Sequence, residues 1–152
     1  MSNVVVSDPA QLAQACADIM WSTDRASQNL GIVIDTVGPG TAQMSMTIVD
    51  SMVNGHDIAH GGFIFMLADS AFAFACNTHN NYAVAQFCSV SFLRPSKQGD
   101  RLTAVAEERN RGTRSGIYDV RVTNQEGKTV AEFRGHSRVI PGTFFPVPEK
   151  SG

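Results

Sequence analysis

The chain is predicted to fold as an α+β domain in which one curved antiparallel sheet wraps around one long central helix. Three features lead there. From Gly62 to Cys76 the chain is apolar on every helical side except at Asp69 and Ser70, and a helix apolar all round is buried all round. Segments alternating apolar and polar residues with the period of a strand stand on both sides of it. The order reads helix, two strands, buried helix, four antiparallel strands, with no repeat, linker or low-complexity stretch. At 152 residues this is a single domain, spanning 1–152 and long enough to bury about two-thirds of its unfolded surface.

Taken in order, residues 1–7 read as a flexible arm in which Val4, Val5 and Val6 can pair with a neighbouring strand. Asp8 caps an N-terminal helix over 8–22, with Pro9 at its first position and Leu12, Cys16, Ile19 and Met20 on one face. Residues 32–37 form a strand, Gly38-Pro39-Gly40 turns it, and 41–50 returns with Ala42, Met44, Met46 and Ile48 on the packed side. An irregular polar loop over 51–59 leads to the central helix, 61–77, which two glycines open and Asn77 with Thr78 closes. From Gly62 to Cys76 that helix is about 22 Å long, short of the roughly 20 apolar residues of a membrane span. Strands follow over 83–93, 101–109, 115–123 and 129–140; Arg94-Pro95 ends the first, since proline cannot donate to a ladder. The Pro-rich tail over 141–152 carries Phe144-Phe145, expected to cover a neighbour's surface.

Composition narrows the function. Hydrophobic residues at 43% and charged residues at 17% leave a polar-poor surface, a hint of area hidden in an oligomer. The net charge of −2 hides an asymmetry: residues 1–93 hold seven acids and one base, 94–152 seven acids and eleven bases. Those bases are mostly arginines crowded between Arg94 and Arg114, suited to planar anions. An acidic chain without a recognition motif argues against nucleic acid, and a phosphorylated small molecule fits better. Cys16, Cys76 and Cys88 make no paired pattern and no basic-then-apolar signal segment opens the chain, so a reducing, cytoplasmic setting is expected.

Asp69 is the anomaly of the central helix. Asp is a poor helix former, and an ionised carboxylate inside apolar protein is costly unless partnered. One reading is a structural carboxylate bonded to a neighbouring strand. The other is chemistry, and His60-Gly61-Gly62 at the start of the same helix favours it. Free N–H groups at a helix start, beside glycines that admit a ligand closely, make an oxyanion site. An electrophile binder and a carboxylate on one helix point to hydrolysis. Upstream, His56 and His60 flank Asp57 in an H-D-x-x-H pattern like that of metalloproteases, but that motif needs a helix. Gly55 before it and Gly61-Gly62 after it disfavour one, so no metal is expected. The better reading is an oxyanion site at the Gly61 N–H with Asn54 and His60 as orienting groups. The alternatives are a capping or packing His60 and a turn-forming Asn54-Gly55.

Distance then constrains assembly. Gly61 and Asp69 are eight residues apart, about 12 Å along one helix. A reacting carbon must lie about 3 Å from both the oxyanion donor and the nucleophile or its water. The two cannot serve one substrate within one chain, so Asp69 must act on a substrate held by Gly61 of another copy, and two helices related by a two-fold give two shared sites.

Asn54 with His60-Gly61-Gly62, the helix segment 67–73 bearing Asp69, and Phe92-Leu93-Arg94-Pro95 with Gly99-Asp100 together resemble the hotdog-fold acyl-CoA thioesterases. The likeness spans roughly residues 15–140 and is greatest to the phenylacetyl-CoA thioesterase branch of phenylacetate degradation. It implies a hotdog fold, with the Gly61 N–H polarising the thioester carbonyl and Asp69 of the partner acting as base or nucleophile. It further implies that Asn54 and His60 position the water and the departing sulfur, and that Ser70 supports the acid. Arg111, Thr113, Arg114 and Ser115 resemble the segment near the CoA phosphates; Thr113 stands where a second base is expected, and Arg111 can substitute. The branch with Glu on its helix is disfavoured by Asp69.

The function expected is hydrolysis of aryl-acetyl or medium-chain acyl-CoA, with Phe63, Phe65, Phe72 and Phe74 either lining the acyl pocket or serving as plain core. The alternative is a non-catalytic acyl-CoA-binding or regulatory protein of the same fold. No cofactor is expected, coenzyme A being part of the substrate, and neither is a nucleic-acid or membrane partner. The assembly expected is a homodimer at least, with dimers pairing into a homotetramer.

Overall fold

The computed structural model describes residues 6–147. Of the N-terminal arm and the C-terminal tail, 1–5 and 148–152 lie outside the described residues. Asp8 caps α1 (Pro9–Thr23) by accepting the Gln11 N–H at 2.9 Å, with Pro9 in the first turn as predicted. A short α2 (Arg25–Asn29) follows, capped by Asp24, which accepts the Ser27 N–H at 3.0 Å. Nothing in the hydrophobic pattern announces α2, because five residues are too few to display a period.

The strands are β1 (Val33–Gly38), β2 (Thr41–Thr47), β3 (Tyr82–Phe92), β4 (Arg101–Arg111), β5 (Ser115–Thr123) and β6 (Thr129–Ile140). A single 3₁₀ turn, Asp50–Met52, takes the end of the segment read as continuing the second strand. All six strands form one antiparallel sheet ordered β1-β2-β4-β5-β6-β3. β3 therefore crosses over to pair with the last strand, Tyr82 opposite Ile140 and Phe92 opposite Ala131. The period-2 alternation is read out directly across the sheet. Met44, Ala104, Val122 and Ala131 form one inward row, and Ala42, Ala106, Val120 and Phe133 another, all buried. Outward rows carry the charge: Asp119 lies between Glu107 and Arg134 and accepts from Nε and Nη2 of Arg134, at 2.6 and 2.9 Å.

The central helix α3 (Gly61–Cys76) lies on the concave face over β2, β4 and β5. Leu67, Ala68, Ala71, Phe72 and Ala75 point into the core. Gly135 makes room for the Phe72 ring, where an added Cβ would stand 2.7 Å from a ring carbon. Phe72 in turn meets Tyr118 edge-on at 5.7 Å. Asn77 closes the helix as predicted. Its Nδ2 donates to the Ala73 and Ala83 carbonyls at 2.9 and 3.0 Å, and its Oδ1 accepts the Ala83 N–H at 2.9 Å. Thr78 Oγ1 donates to the Ala75 carbonyl and accepts the Gly40 N–H, tying the helix end to the β1–β2 turn. Beyond it, one Glu108 oxygen holds both His79 Nε2 (2.8 Å) and the Tyr118 hydroxyl (2.9 Å).

Two expectations are corrected. α3 is not buried all round: Gly62 is exposed, and Phe63, Phe65, Met66, Asp69 and Ala73 are only half-buried, because the sheet ends at β3 before it closes over that face. Phe144 and Phe145, which look exposed in the sequence, are half-buried on their own chain. Asn80, at φ +62°, holds them there by accepting the Phe144 and Phe145 N–H groups, while Phe144 stacks edge-on against Tyr82 at 4.8 Å.

Asn77→Ala should lower stability by about 2–3 kcal/mol, the sum of its three side-chain hydrogen bonds to main-chain groups at about 1 kcal/mol each; denaturant unfolding with an unchanged slope checks this.

Candidate functional site

The segment before α3 is a tight loop organised by Asn54. Its Oδ1 accepts the His56 N–H at 2.9 Å and the Ile58 N–H at 3.4 Å, while its own N–H meets the Ile58 carbonyl at 2.9 Å. Asn54 is thus the turn-former weighed against its orienting role, with only its Nδ2 left to offer a ligand. No helix runs from His56 to His60, and among the described residues no three His, Cys, Asp or Glu side chains converge as metal ligands. Two bonds then fix where α3 begins: Ala59 N–H to the Ser96 carbonyl at 2.7 Å and His60 N–H to the Met52 carbonyl at 2.8 Å.

His60 is the N-cap. Its Nδ1 accepts the Gly62 N–H at 2.9 Å and its carbonyl accepts the Phe63 N–H at 3.0 Å. An Nδ1 that accepts carries a lone pair, so the capping imidazole is neutral, with its proton on Nε2. The Gly61 N–H finds no acceptor among the described residues. It borders a cavity of about 470 Å³ lined by Asn54, Ile58, Ile64, Phe92, Pro95 and Ser96. The Phe92 ring lies directly over Gly61, so that a Cβ there would come within 3.0 Å of it. One free amide at the positive end of a 16-residue helix, in a mostly apolar chamber, is suited to a carbonyl oxygen gaining charge.

Asp69 sits two turns on, in the half-buried stripe of α3, and has no hydrogen-bond partner among the described residues. Burial raises its pKa above the usual carboxylate range. Its charge is felt by two thiols: burial first, and Asp69 after it, pushes Cys76 up to about 12 and also raises Cys88. Because α3 is one unbroken helix, the 12 Å rise between Gly61 and Asp69 stands.

Ser70 turns away from the acid. Its hydroxyl lies 3.0 Å from Ser27 Oγ, which donates to Asp24 Oδ2 at 2.7 Å. A carboxylate only accepts, so Ser27 must donate to Asp24 and Ser70 must donate to Ser27. Arg111, Thr113, Arg114 and Ser115 are exposed in the β4–β5 turn, closed by Gly112 N–H to the Ser115 carbonyl at 2.8 Å. That turn lies at the far end of the protomer from Gly61, roughly 30 Å away along β4. Of the four phenylalanines, Phe72 and Phe74 are each 1% exposed and belong to the core, whereas Phe63 and Phe65 lie on the open stripe. Phe92 over Gly61, Ser96 beside it and the Asp24–Ser27 chain were not singled out as site residues from the sequence; no spacing marks them.

The thioesterase superfamily model matches residues 56–131. The chain belongs to the thioesterase superfamily. Its fold is the hotdog fold of that superfamily, and the protein is a thioester hydrolase. It is 47% identical over 128 residues to the acyl-coenzyme A thioesterase PaaI of Escherichia coli K12, covering 84% of this chain and 91% of that one. The structure of the E. coli PaaI protein from the phenylacetic acid degradation operon superposes with a TM-score of 0.88 at 45% identity, covering 90% of this chain and 99% of that one. A Streptococcus mutans protein, smu.793 bound to acetyl CoA, superposes with a TM-score of 0.71 at 27% identity, covering 74% and 90%.

In this thioesterase the raised pKa of Asp69 links ionisation to stability. The folded state prefers the protonated acid, so its contribution is fully present below the unfolded pKa and is lost as pH rises through the folded one. Asp69→Asn, which stays neutral, should melt higher than the parent at pH 7–8, with the gap closing on acidification; thermal unfolding across a pH series measures it.

Proposed function

We propose that this protein hydrolyses acyl-CoA thioesters, with phenylacetyl-like aryl-acetyl or medium-chain acyl groups favoured, in sites shared between two copies. The observation that carries the reading is the placement of Gly61 and Asp69 on one rigid helix, too far apart to meet on one substrate. Supporting it, the uncovered stripe of α3 holds Asp69 at its middle, beside the unpaired edge of β3. An antiparallel two-fold across β3 would bring the partner's far end alongside Gly61, Asp69 and the Arg111–Ser115 turn included. The identity to an acyl-coenzyme A thioesterase and the likeness to an acetyl-CoA-bound structure support the substrate class, and the operon of the E. coli relative supports the aryl-acetyl group.

In this mechanism the Gly61 N–H, with the α3 dipole behind it, holds the thioester oxygen as it becomes an oxyanion. Asp69 of the other copy takes a proton from water as the water oxygen bonds to the carbonyl carbon; burial raises its pKa, which makes it a stronger base than an exposed carboxylate. The tetrahedral intermediate collapses, the C–S bond breaks, and the proton passes from Asp69 to the departing sulfur. His60 Nε2–H and Asn54 Nδ2–H are donors at hand for the water and the sulfur. Ser70 acts by fixing the acid-bearing turn through Ser27 and Asp24. Arg111, Thr113, Arg114 and Ser115 of the second copy meet the CoA phosphates. The mechanism calls on no cofactor beyond the CoA of the substrate. Unpaired Cys16, Cys76 and Cys88 support a cytoplasmic setting, and the charged outer rows of the sheet support pairing of dimers into a tetramer.

Thiol release from a panel of acyl-CoAs should be fastest with phenylacetyl-CoA, and Asp69→Ala should lower turnover by about 10² to 10⁴. Gly61→Pro, which deletes the N–H at the first helical position, where proline's φ fits, and also pushes the Phe92 ring aside, should cost at least about 10² to 10³. Co-assembly of Asp69→Ala and Gly61→Pro subunits should regain roughly a quarter of parent activity, because half the dimers are mixed and each mixed dimer has one intact site. No recovery, or full activity in a strictly monomeric preparation, would remove the shared site; binding of acyl-CoA without hydrolysis would favour a regulatory protein.

A further inference from the structure

Ser96 is the one place among the described residues where a buried side-chain polar atom has no hydrogen-bond partner. The residue is 2% exposed. Burying a hydroxyl unpaired opposes folding, and such an orphan in a native protein asks for a reason. Its position supplies one. Ser96 follows Pro95 where β3 has ended, and its carbonyl accepts the Ala59 N–H, which locks it beside the start of α3. It borders two hollows at once. One is the apolar cavity over Gly61. The other, also about 470 Å³, is a trough of mixed lining that includes Asp57, Lys97, Asp100, Asn124, Gln125 and Glu126. Ile58, Arg94, Pro95 and Ser96 line both, so Ser96 stands at the neck between them.

A ligand whose reacting carbonyl meets the Gly61 N–H and whose arm leaves through the trough must pass this neck. Beside apolar Ile58 and Pro95 the shared lining carries the Arg94 guanidinium, which only donates, and the Ser96 hydroxyl, the uncommitted group that can both donate and accept. The serine oxygen is closed off from both hollows, so meeting a polar group in the neck requires the hydroxyl to rotate to another of its three staggered positions. The thiol arm of CoA presents two methylenes after the sulfur and then a secondary amide, a match in both order and chemistry. Resting on the acyl-CoA reading above, we infer that the Ser96 hydroxyl hydrogen-bonds the first amide of the substrate's thiol arm. Ser96 thereby selects thioesters of a pantetheine-like arm over short thioesters of the same acyl group.

The test is calorimetric binding of two non-hydrolysable probes. One is the thioether analogue of phenylacetyl-CoA; the other is the same molecule with that amide replaced by two methylenes. The parent protein should prefer the amide-bearing probe by about tenfold, as one hydrogen bond of typical strength gives. Ser96→Ala should bind that probe about tenfold more weakly and no longer distinguish the two, and Ser96→Gly should repeat this. Thermal unfolding of Ser96→Ala should show no loss of stability, since the hydroxyl has no protein partner to lose, whereas a structural role would lower the melting temperature. Equal affinity of parent and Ser96→Ala for the amide-bearing probe overturns the inference. So does a loss of the same size for both probes. Thiol release by the parent separates the two levels: an active enzyme with a flat Ser96 comparison removes only the amide contact. A parent that neither binds nor hydrolyses acyl-CoA removes the functional reading as well.

Discussion

An α-helix advances by a fixed rise per residue, and in this protein that rigidity governs everything built on α3. The free amide of Gly61 and the unpartnered carboxylate of Asp69 cannot be brought together by side-chain movement. Nor can the helix slide to help. Its start is held by the Ala59–Ser96 and His60–Met52 bonds, and its end by Asn77 and Thr78. Within one protomer the two groups are fixed points on a ruler. On the function proposed above, the only adjustable quantity left is the position of a second ruler, which would make assembly and chemistry a single problem.

The surface carries the same constraint in another form. The sheet has two edges that are treated differently. β1 is six residues long, bulged between Ile34 and Thr36, and carries exposed Asp35 and Thr36, features that discourage another strand from adding. β3 runs for eleven residues without a charge or a proline, and Tyr82, Val84, Phe87 and Phe92 are exposed along it. Beside it lies the half-buried stripe of α3 with Phe65, Met66, Asp69 and Ala73. A long uncharged edge, with one bulge between Ala85 and Phe87, and an uncovered apolar helix face, side by side, form one continuous surface. The acid sits in it, partly shielded from water and lacking a donor, and burial raises its pKa.

Much of this was legible in the residues. Met44, Ala104 and Val122 alternate with polar neighbours, so their strands and facing directions followed from period alone. Asn77 and Thr78, short polar side chains after an apolar run, announced the helix end. The Asp69 anomaly and the His60-Gly61-Gly62 start mark the candidate site because each breaks a local rule, a buried charge in one case and paired glycines at a helix start in the other. Strand order was not legible, since alternation says which face a residue takes and nothing about which strand lies alongside. The same limit hid the open side of α3: apolarity all round declares that a helix must be covered without saying which chain does the covering. Ser70 reads as a helper of the acid beside it, yet consecutive helical residues point about 100° apart, and it reaches Ser27 instead. Phe144-Phe145 looked exposed only because Asn80, far away in the chain, was not visible as their clamp.

The pairing of β3 with β6 also sets a timetable. On the ribosome, α3 and β3 emerge well before the strand that will shelter them, and the sheet cannot close until residues near Ile140 have left the exit tunnel. Throughout that interval the most apolar segment of the protein has only a half-built cradle. Non-local pairings of this kind slow folding and prolong the exposure of sticky surface. The crossover that frees β3 to stand at the rim therefore delays maturation, and newly made chains depend on reaching completion before they meet one another.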